Sequence, residues 1–127
     1  MPQISEMSSL YGRKDLKGVP IMHFDQRVVN FGKMKRGEKR THVYEFVNLG
    51  DTPLILDLVS ACDCTTLTYE EGKVYKPGEK GQIKIVFDST EKEESEEIDI
   101  DILLGNMEPG TDRPIFEVLR YSFEIVK

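Results

Sequence analysis

The residues best suited to chemistry are Cys62 and Cys64, the only cysteines in the chain, which stand one residue apart. In an extended strand, residues i and i+2 point to the same side, so both thiols would share a face. A redox or disulfide-forming pair would need nearby cations or a helix N-terminus to lower a thiol pKa, but the residue between them is Asp63. We therefore interpret them first as two thiols packing at a strand end. A thiol-dependent role, either redox or metal-binding, stays open as the alternative.

The rest of the sequence gives little support for metal or acid–base chemistry. A soft-metal site at the cysteines would need two more ligands, and the only histidines, His23 and His42, lie on separate predicted strands without ligand-like spacing. His42 precedes Tyr44 and Phe46 on one strand face, which is more typical of a hydrogen-bonded inner residue than of a catalytic base. We predict no catalytic residues, no metal site and no cofactor, and we expect that the protein is not an enzyme.

A surface for a protein partner is predicted on the strand from Arg40 to Asn48. Tyr44 and Phe46 mark its core side, so Thr41, Val43 and Val47 face outwards. That outer face is more apolar than solvent contact requires, so either the N-terminal arm or a partner protein is expected to cover it.

Charge is distributed unevenly along the chain. An acidic run between Glu91 and Glu97 contrasts with a basic cluster around the first hairpin. The two clusters predict a pair of complementary docking patches, self-association of opposite ends, or solvated loops that keep sheet edges soluble. As candidate partner contacts, the basic cluster comprises Lys33, Lys35, Arg36, Lys39 and Arg40.

The elements that must position these residues are strands, because apolar residues alternate with polar ones in several short segments. The clearest are Gln82–Asp88 and Ile98–Ile102, and turn sequences such as Gly50–Pro53 and Lys76–Glu79 separate the segments. The apolar positions drift in phase between Ile21 and Phe31, which predicts one broken strand. About seven strands without a helical period predict an all-β fold, an immunoglobulin-like antiparallel β-sandwich, with a barrel as the alternative.

Length and composition predict one domain preceded by an arm. Residues 1–18 show neither the helical nor the strand period of apolar residues and are predicted to be a flexible N-terminal arm. The sandwich domain is predicted at 19–127. The net charge of −6 argues against a nucleic-acid partner. No apolar run approaches the roughly 18 residues that cross a bilayer, so no membrane span is predicted. A signal or lipid anchor removed ahead of the numbered chain is compatible with this prediction.

Several short motifs in a fixed order resemble a bacterial family of unknown function. They are Asn30-Phe31-Gly32, the run His42–Leu54, Cys62-Asp63-Cys64-Thr65, and Pro77-Gly78-Glu79 followed by Phe87–Thr90. That family carries a Cys-Gly-Cys-Thr run, with glycine where this chain has Asp63, in an immunoglobulin-like domain akin to the Hydin and major-sperm-protein group.

The resemblance implies a sandwich that works by binding or assembly, as a subunit of a cell-envelope complex. A protein partner is therefore expected, and the periplasm or cell envelope is the expected location. The cytoplasm remains the alternative, because the chain as given carries no signal sequence.

Overall fold

The computed structural model describes residues 4–14 and 16–126. Within them the chain forms nine strands and no helix. In chain order the strands are β1 (Met22–Phe24), β2 (Val28–Lys35), β3 (Lys39–Asn48), β4 (Leu54–Ser60), β5 (Thr65–Thr68), β6 (Val74–Tyr75), β7 (Lys80–Asp88), β8 (Glu96–Met107) and β9 (Pro114–Val126).

The strands form two sheets that pack face to face. Sheet I has the order β1-β3-β7-β5, and sheet II has the order β2-β9-β8-β4-β6. All pairs are antiparallel except β2 with β9. The predicted all-β sandwich is confirmed. Its strand number is higher than predicted because β5 and β6 have only four and two residues, too few to show an alternating pattern.

The predicted break in the first strand is a change of sheet. β1 pairs with β3 in sheet I, whereas β2 pairs with β9 in sheet II. Each part follows its own alternation, so Phe24 and Val29 are both buried while Val28 is exposed. The phase drift in the sequence therefore marks the point where the chain crosses from one layer to the other.

Two predicted strand faces need correction. A register shift between Leu56 and Leu58 leaves Leu58 43% exposed and turns Val59 inwards, so Leu58 does not share the inner face of Leu56 as its spacing predicts. In the last strand, Phe116 and Val118 are out of phase with the apolar residues that follow, which predicts a bulge. That bulge is absent, since alternate residues from Ile115 to Phe123 are buried without interruption. The inward position at which the alternation lacks an apolar residue is occupied by Glu117.

The core is closed by alternate apolar residues of both sheets, among them the predicted inner residues Tyr44 and Phe46. Phe87, Tyr121 and Phe123 form an aromatic cluster between the layers, with ring centroids 4.4 Å apart for Phe87 and Phe123. This cluster lies beneath the segment that carries the cysteines, since Tyr121 contacts Cys64.

The N-terminal segment packs against sheet II. The backbone N–H of Ser9 donates to the carbonyl of Phe116 at 2.8 Å, that of Val118 donates to Met7 at 2.8 Å, and Leu10 is 1% exposed. The segment therefore contacts β9. One sequence interpretation expected it to cover the outer face of β3, and the structure does not bear this out. The boundary between residues 18 and 19 stays a prediction. No helix in the described part of the chain is long and apolar enough to span a membrane.

Candidate functional site

Cys62 and Cys64 lie in the turn that carries the chain from β4 in sheet II to β5 in sheet I. The N–H of Thr65 donates to the carbonyl of Cys62 at 3.0 Å, and the N–H of Asp88 donates to the carbonyl of Cys64 at 3.0 Å. The two Cα atoms are 5.2 Å apart, and the sulfurs are joined as a disulfide. Both residues are half-buried, and Asp63 between them is exposed. The first sequence interpretation, two free packing thiols, is therefore wrong for this structure.

Two hydroxyl groups contact the disulfide. The Oγ1 atom of Thr65 lies 3.4 Å from Sγ of Cys62 and 3.6 Å from Sγ of Cys64. The phenol oxygen of Tyr121 lies 3.6 Å from Sγ of Cys64 and is hydrogen-bonded to Thr65. Burial raises the pKa of Tyr121 to about 12, so the phenol keeps its proton. Sequence reasoning missed Tyr121, because it is 57 residues from Cys64, and gave no role to Thr65, although Thr65 directly follows Cys64.

The predicted partner surface on β3 is less apolar than its sequence indicates. Thr41 is exposed, Val43 is 37% exposed and Val47 is half-buried. Across β7, Val43 pairs with Lys84 and Val47 pairs with Lys80. Glu45, which is exposed, lies between the two valines on the same face of β3. The outward valines are therefore flanked by lysines, interrupted by a glutamate, and do not form a continuous apolar patch.

The predicted basic cluster lies beside the acidic run and not at the opposite end of the molecule. Arg36 donates from Nε to the carbonyl of Thr90 at 2.8 Å and lies 3.9 Å from Glu93. Ser89 joins the same two loops by donating from Oγ to the carbonyl of Glu38 at 2.7 Å. Arg36 therefore bonds to the acidic loop of its own chain, which argues against self-association of opposite ends at this residue. The remaining members extend from β2 and the start of β3: Lys33, Lys35 and Lys39 are exposed, and Arg40 is half-buried beside Glu38.

A larger apolar surface lies on the outer face of sheet II. Its members pair across neighbouring strands: Leu58 with Leu103, Leu103 with Phe116, and Ile55 with Val74. Leu58 is 43% exposed, Val74 is 49% exposed and the others are half-buried. We call this surface the apolar stripe; it comprises Ile55, Leu58, Val74, Leu103 and Phe116.

The absence of a side chain at Gly105 of β8 allows Ile55 of the apolar stripe to pack over that strand. A Cβ atom at Gly105 would lie 2.8 Å from Cγ2 of Ile55, so the isoleucine side chain lies directly over β8. Sequence reasoning missed the stripe because the register shift in β4 turns Leu58 outwards. A signal was present in the outward position of Phe116, which was out of phase with the rest of its strand.

Carboxylates border the apolar stripe. Asp57 precedes Leu58, and Asp101 is the outward residue next to Leu103 along β8; both are exposed. Neither makes an ion pair with a residue in the described part of the chain. Further along the sheet, Arg120 pairs with Asp99 at 2.6 Å and ends the apolar surface.

A buried ion pair fixes the N-terminal segment. Arg27 donates to Glu117 at 2.8 Å, and the hydroxyl of Ser8 donates to the other carboxylate oxygen at 2.6 Å. Arg27 also donates to the carbonyls of Met7, Met22 and Val118. Burial raises the pKa of Glu117, and the charge of Arg27 only partly offsets this effect.

Two clefts on the surface offer no evident ligand chemistry. The first, of about 610 Å³, lies between the N-terminal segment and the residues from Ile21 to Val28, where Arg27 is already paired. The second, of about 510 Å³, mixes lysines and glutamates around Tyr69 and Tyr75, and its Lys73 pairs with Glu70. Among residues 4–14 and 16–126, no three Cys, His, Asp or Glu side chains are grouped to hold a metal ion.

Solved structures share the fold. A protein of unknown function from Porphyromonas gingivalis W83 is 21% identical with a TM-score of 0.67, covering 87% of this chain and 49% of that one. The Vibrio cholerae VesB protease is 14% identical with a TM-score of 0.64, covering 81% of this chain and 31% of that one. The chain thus spans about half of the first protein and less than a third of the second.

A human domain gives the fold its class. The PapD-like domain 7 of human CEP192 is 12% identical with a TM-score of 0.55, and the match covers 84% of this chain and 85% of that one. At this level of identity the likeness concerns the fold alone, and it identifies the sandwich as PapD-like, within the immunoglobulin-like class.

Sequence comparison gives the family. No curated protein matched the chain. A family model described as "Protein of unknown function (DUF1573)" matches residues 22–117, which include the strands from β1 to β8, the cysteine turn and the start of β9. The chain therefore belongs to the DUF1573 family, with an immunoglobulin-like β-sandwich of the PapD-like type.

Proposed function

We propose that this domain is a non-catalytic protein-interaction module and that the apolar stripe is its docking surface. The observation that carries the proposal is the continuity of the stripe across four strands, with Leu58 43% and Val74 49% exposed. A contiguous apolar surface of this kind is unfavourable in water unless another surface covers it. The valines of β3 are flanked by lysines of β7 and support a docking surface less well.

The proposed partner is a different protein with an apolar centre and basic residues around it. Asp57 and Asp101 border the stripe without an ion pair among the described residues, so a basic rim would find complementary charge there. A second copy is the poorer occupant, because it would bring a chain of net charge −6 against another of the same charge.

Site-specific cross-linking tests the proposed surface. A photo-cross-linking residue at Leu103, in the protein expressed in its native cells, is expected to capture one defined protein. Leu58→Glu should abolish that cross-link, because it places an unpaired charge inside the interface. The matched control is Val43→Glu, on the other sheet, which should leave the cross-link intact. Both side chains are already exposed, so both variants should keep the unfolding free energy within about 0.5 kcal/mol.

The opposite pattern would overturn the assignment. Loss of the partner in Val43→Glu but not in Leu58→Glu would place docking on β3, at Thr41, Val43 and Val47. A cross-link to the same chain, with a dimer whose population rises with concentration, would mean that a second copy occupies the stripe.

We also propose a location in the periplasm or cell envelope and membership of an envelope complex. The Cys62–Cys64 disulfide supports this, since disulfides persist in oxidising compartments. A kinship with the Hydin and major-sperm-protein group belongs to the same proposal and rests on the motif resemblance. Fractionation of native cells tests the location, and recovery of the protein only in the cytoplasm with both thiols reduced would contradict it.

A second candidate function is a thiol-dependent one, and the disulfide itself favours it. Cys62 and Cys64 are half-buried in a turn and already bonded, so the pair is chemically poised for exchange. Thiol titration of the folded protein with and without a reductant tests this function. Two additional thiols should titrate after reduction, and none before it.

A further inference from the structure

We propose that the Cys62–Cys64 disulfide is an oxidant of dithiols that carry no net negative charge, with Cys64 as the leaving thiolate. Thr65 and Tyr121 serve as positioning residues that stabilise that thiolate. The inference rests on the second proposed function, and it is independent of the apolar stripe.

The disulfide is poorly placed to be a structural staple. It joins residues two positions apart, so it closes a loop of three residues. The stabilisation that a cross-link draws from the unfolded chain grows with the length of the loop it closes, and this loop is close to the shortest available. The turn is also held by the backbone hydrogen bonds of Thr65 and Asp88. A bond that adds little to the fold is available for exchange.

The hydroxyl groups favour one sulfur as the leaving group. Thr65 and Tyr121 are hydrogen-bonded to each other, so one hydroxyl hydrogen is used between them and the other remains free. In either orientation the free hydrogen can point to Sγ of Cys64, which lies 3.6 Å from both oxygens. Only Thr65 contacts Cys62. A thiolate accepts a hydrogen bond far better than a disulfide sulfur does, so this pair stabilises the reduced form at Cys64.

The surroundings also select the reductant. Asp63 is exposed between the two cysteines, and the chain carries a net charge of −6. A negatively charged thiol is therefore repelled as it approaches, whereas a neutral or cationic dithiol is not.

The exchange balances without any other reactant. One thiolate of the dithiol attacks Sγ of Cys62, the bond between the two cysteine sulfurs breaks, and its electron pair leaves on Cys64. The second thiolate of the dithiol then attacks the sulfur of the first, and Cys62 leaves as a thiolate. The dithiol becomes a disulfide and loses two protons: Cys62 takes up one and becomes a thiol, Cys64 stays the thiolate that the hydroxyls stabilise, and the other proton passes to solvent.

Reduction of the folded protein by dithiothreitol tests the role of the hydroxyls. The reaction is quenched by alkylation and followed by intact mass. Tyr121→Phe combined with Thr65→Val should shift the exchange equilibrium towards the disulfide by about tenfold, because the two changes together remove the hydrogen bond to a charged group. Either change alone should shift the equilibrium less, because the hydroxyl that remains can still donate to Cys64.

The matched control is Tyr44→Phe. Tyr44 is a buried tyrosine of the same sandwich. Its hydroxyl donates to the main-chain carbonyl of Arg120 and does not touch the cysteines. This variant should leave the exchange equilibrium unchanged although it loses a buried hydrogen bond. Equal shifts in the double variant and in Tyr44→Phe would overturn the role of the hydroxyls. If the exchange equilibrium of the native pair also equals that of the isolated peptide 60–66, the fold does not favour reduction at Cys64. The pair would still exchange, so the second proposed function would stand and the present inference would fail.

The selectivity for charge has its own test. Dithiothreitol, which is neutral, should reduce the pair faster than dimercaptosuccinate, which is anionic, after correction for their rates with the isolated peptide 60–66. Asp63→Asn should make the corrected rates for the neutral and the anionic dithiol more similar. Equal corrected rates would overturn the substrate class, and a disulfide that no dithiol reduces in the folded protein would overturn the thiol function as well.

Discussion

Glu117 is a carboxylate at a position where the alternation of β9 calls for an apolar residue. It is 1% exposed and is held by Arg27 and Ser8. Removing a carboxylate from water costs several kcal/mol, and an ion pair with hydrogen bonds offsets that cost only in part. The raised pKa of Glu117 reflects this balance, with burial as the larger effect. The pair therefore specifies where the N-terminal segment docks more than it stabilises the fold.

The pH dependence of stability follows from that pKa. In the folded state the pKa of Glu117 lies above the ordinary value of 4.5, so the folded state binds a proton more readily than the unfolded chain. Its contribution to stability should increase as the pH falls through the folded pKa, and should be complete below 4.5.

Glu117→Gln isolates this contribution, because it cannot titrate. The unfolding free energy of the native protein minus that of the variant, measured in denaturant at several pH values, should rise from neutral pH towards 4.5. The lowered pKa values of Glu38, Asp51 and Asp88 act in both proteins and cancel. A difference that decreases as the pH is lowered would show that the charge of Arg27 has a larger effect on the pKa of Glu117 than burial has.

At the scale of elements, the sheets are joined by rings that need a glycine. Phe46 of β3 packs edge-on against Tyr75 of β6, with centroids 5.0 Å apart, and so connects sheet I to sheet II. A Cβ atom at Gly81 of β7 would lie 2.4 Å from Cζ of Phe46 and 2.6 Å from Cε1 of Tyr75. The absence of a side chain at Gly81 is therefore what allows both rings to lie there.

Gly81→Ala should destabilise the protein by about 1 to 3 kcal/mol, because the added methyl group overpacks the two rings. Phe46→Leu removes both ring atoms of Phe46 that the methyl group would meet, Cζ and Cε1. Although Phe46→Leu is destabilising alone, the double variant should be more stable than the sum of the two single effects. Chemical denaturation of all four proteins gives this coupling energy. Simple additivity would mean that the backbone shifts away from the rings.

At the scale of the whole molecule, the N-terminal segment is part of the packed structure. Leu10 belongs to the buried core, and residues Met7 to Ser9 bond to the first half of β9. The parallel strand β2 pairs with the second half of β9, from Arg120 onwards. Together the segment and β2 cover one long edge of β9, which would otherwise present unpaired backbone groups.

Leu10→Ala tests how much the fold depends on this segment. It should lower the unfolding free energy by about 2 to 5 kcal/mol and increase the binding of a hydrophobic dye, as expected for a fully buried leucine. The control is the neighbouring Tyr11→Ala, where the side chain is 55% exposed and the change should stay within about 0.5 kcal/mol. Equal, small effects would favour the flexible arm that the sequence predicts.

The sequence by itself determined the strands and most of their inner faces. Alternation is a local property of extended backbone, so Tyr44, Phe46 and the isoleucines of β7 and β8 were assigned to the core correctly. It also singled out Cys62 and Cys64 as the residues with chemistry, since they are the only thiols present.

Only the tertiary structure decided what depends on strand register and on contacts between distant residues. The shift between β4 and β8 turned Leu58 outwards and created the apolar stripe. Glu117 can lie inside because Arg27, 90 residues away, supplies the opposite charge. Tyr121 reaches the disulfide because the sandwich places β9 beneath the cysteine turn. Such contacts join segments that no local pattern relates, and this is why the site around the cysteines could not be completed from the sequence.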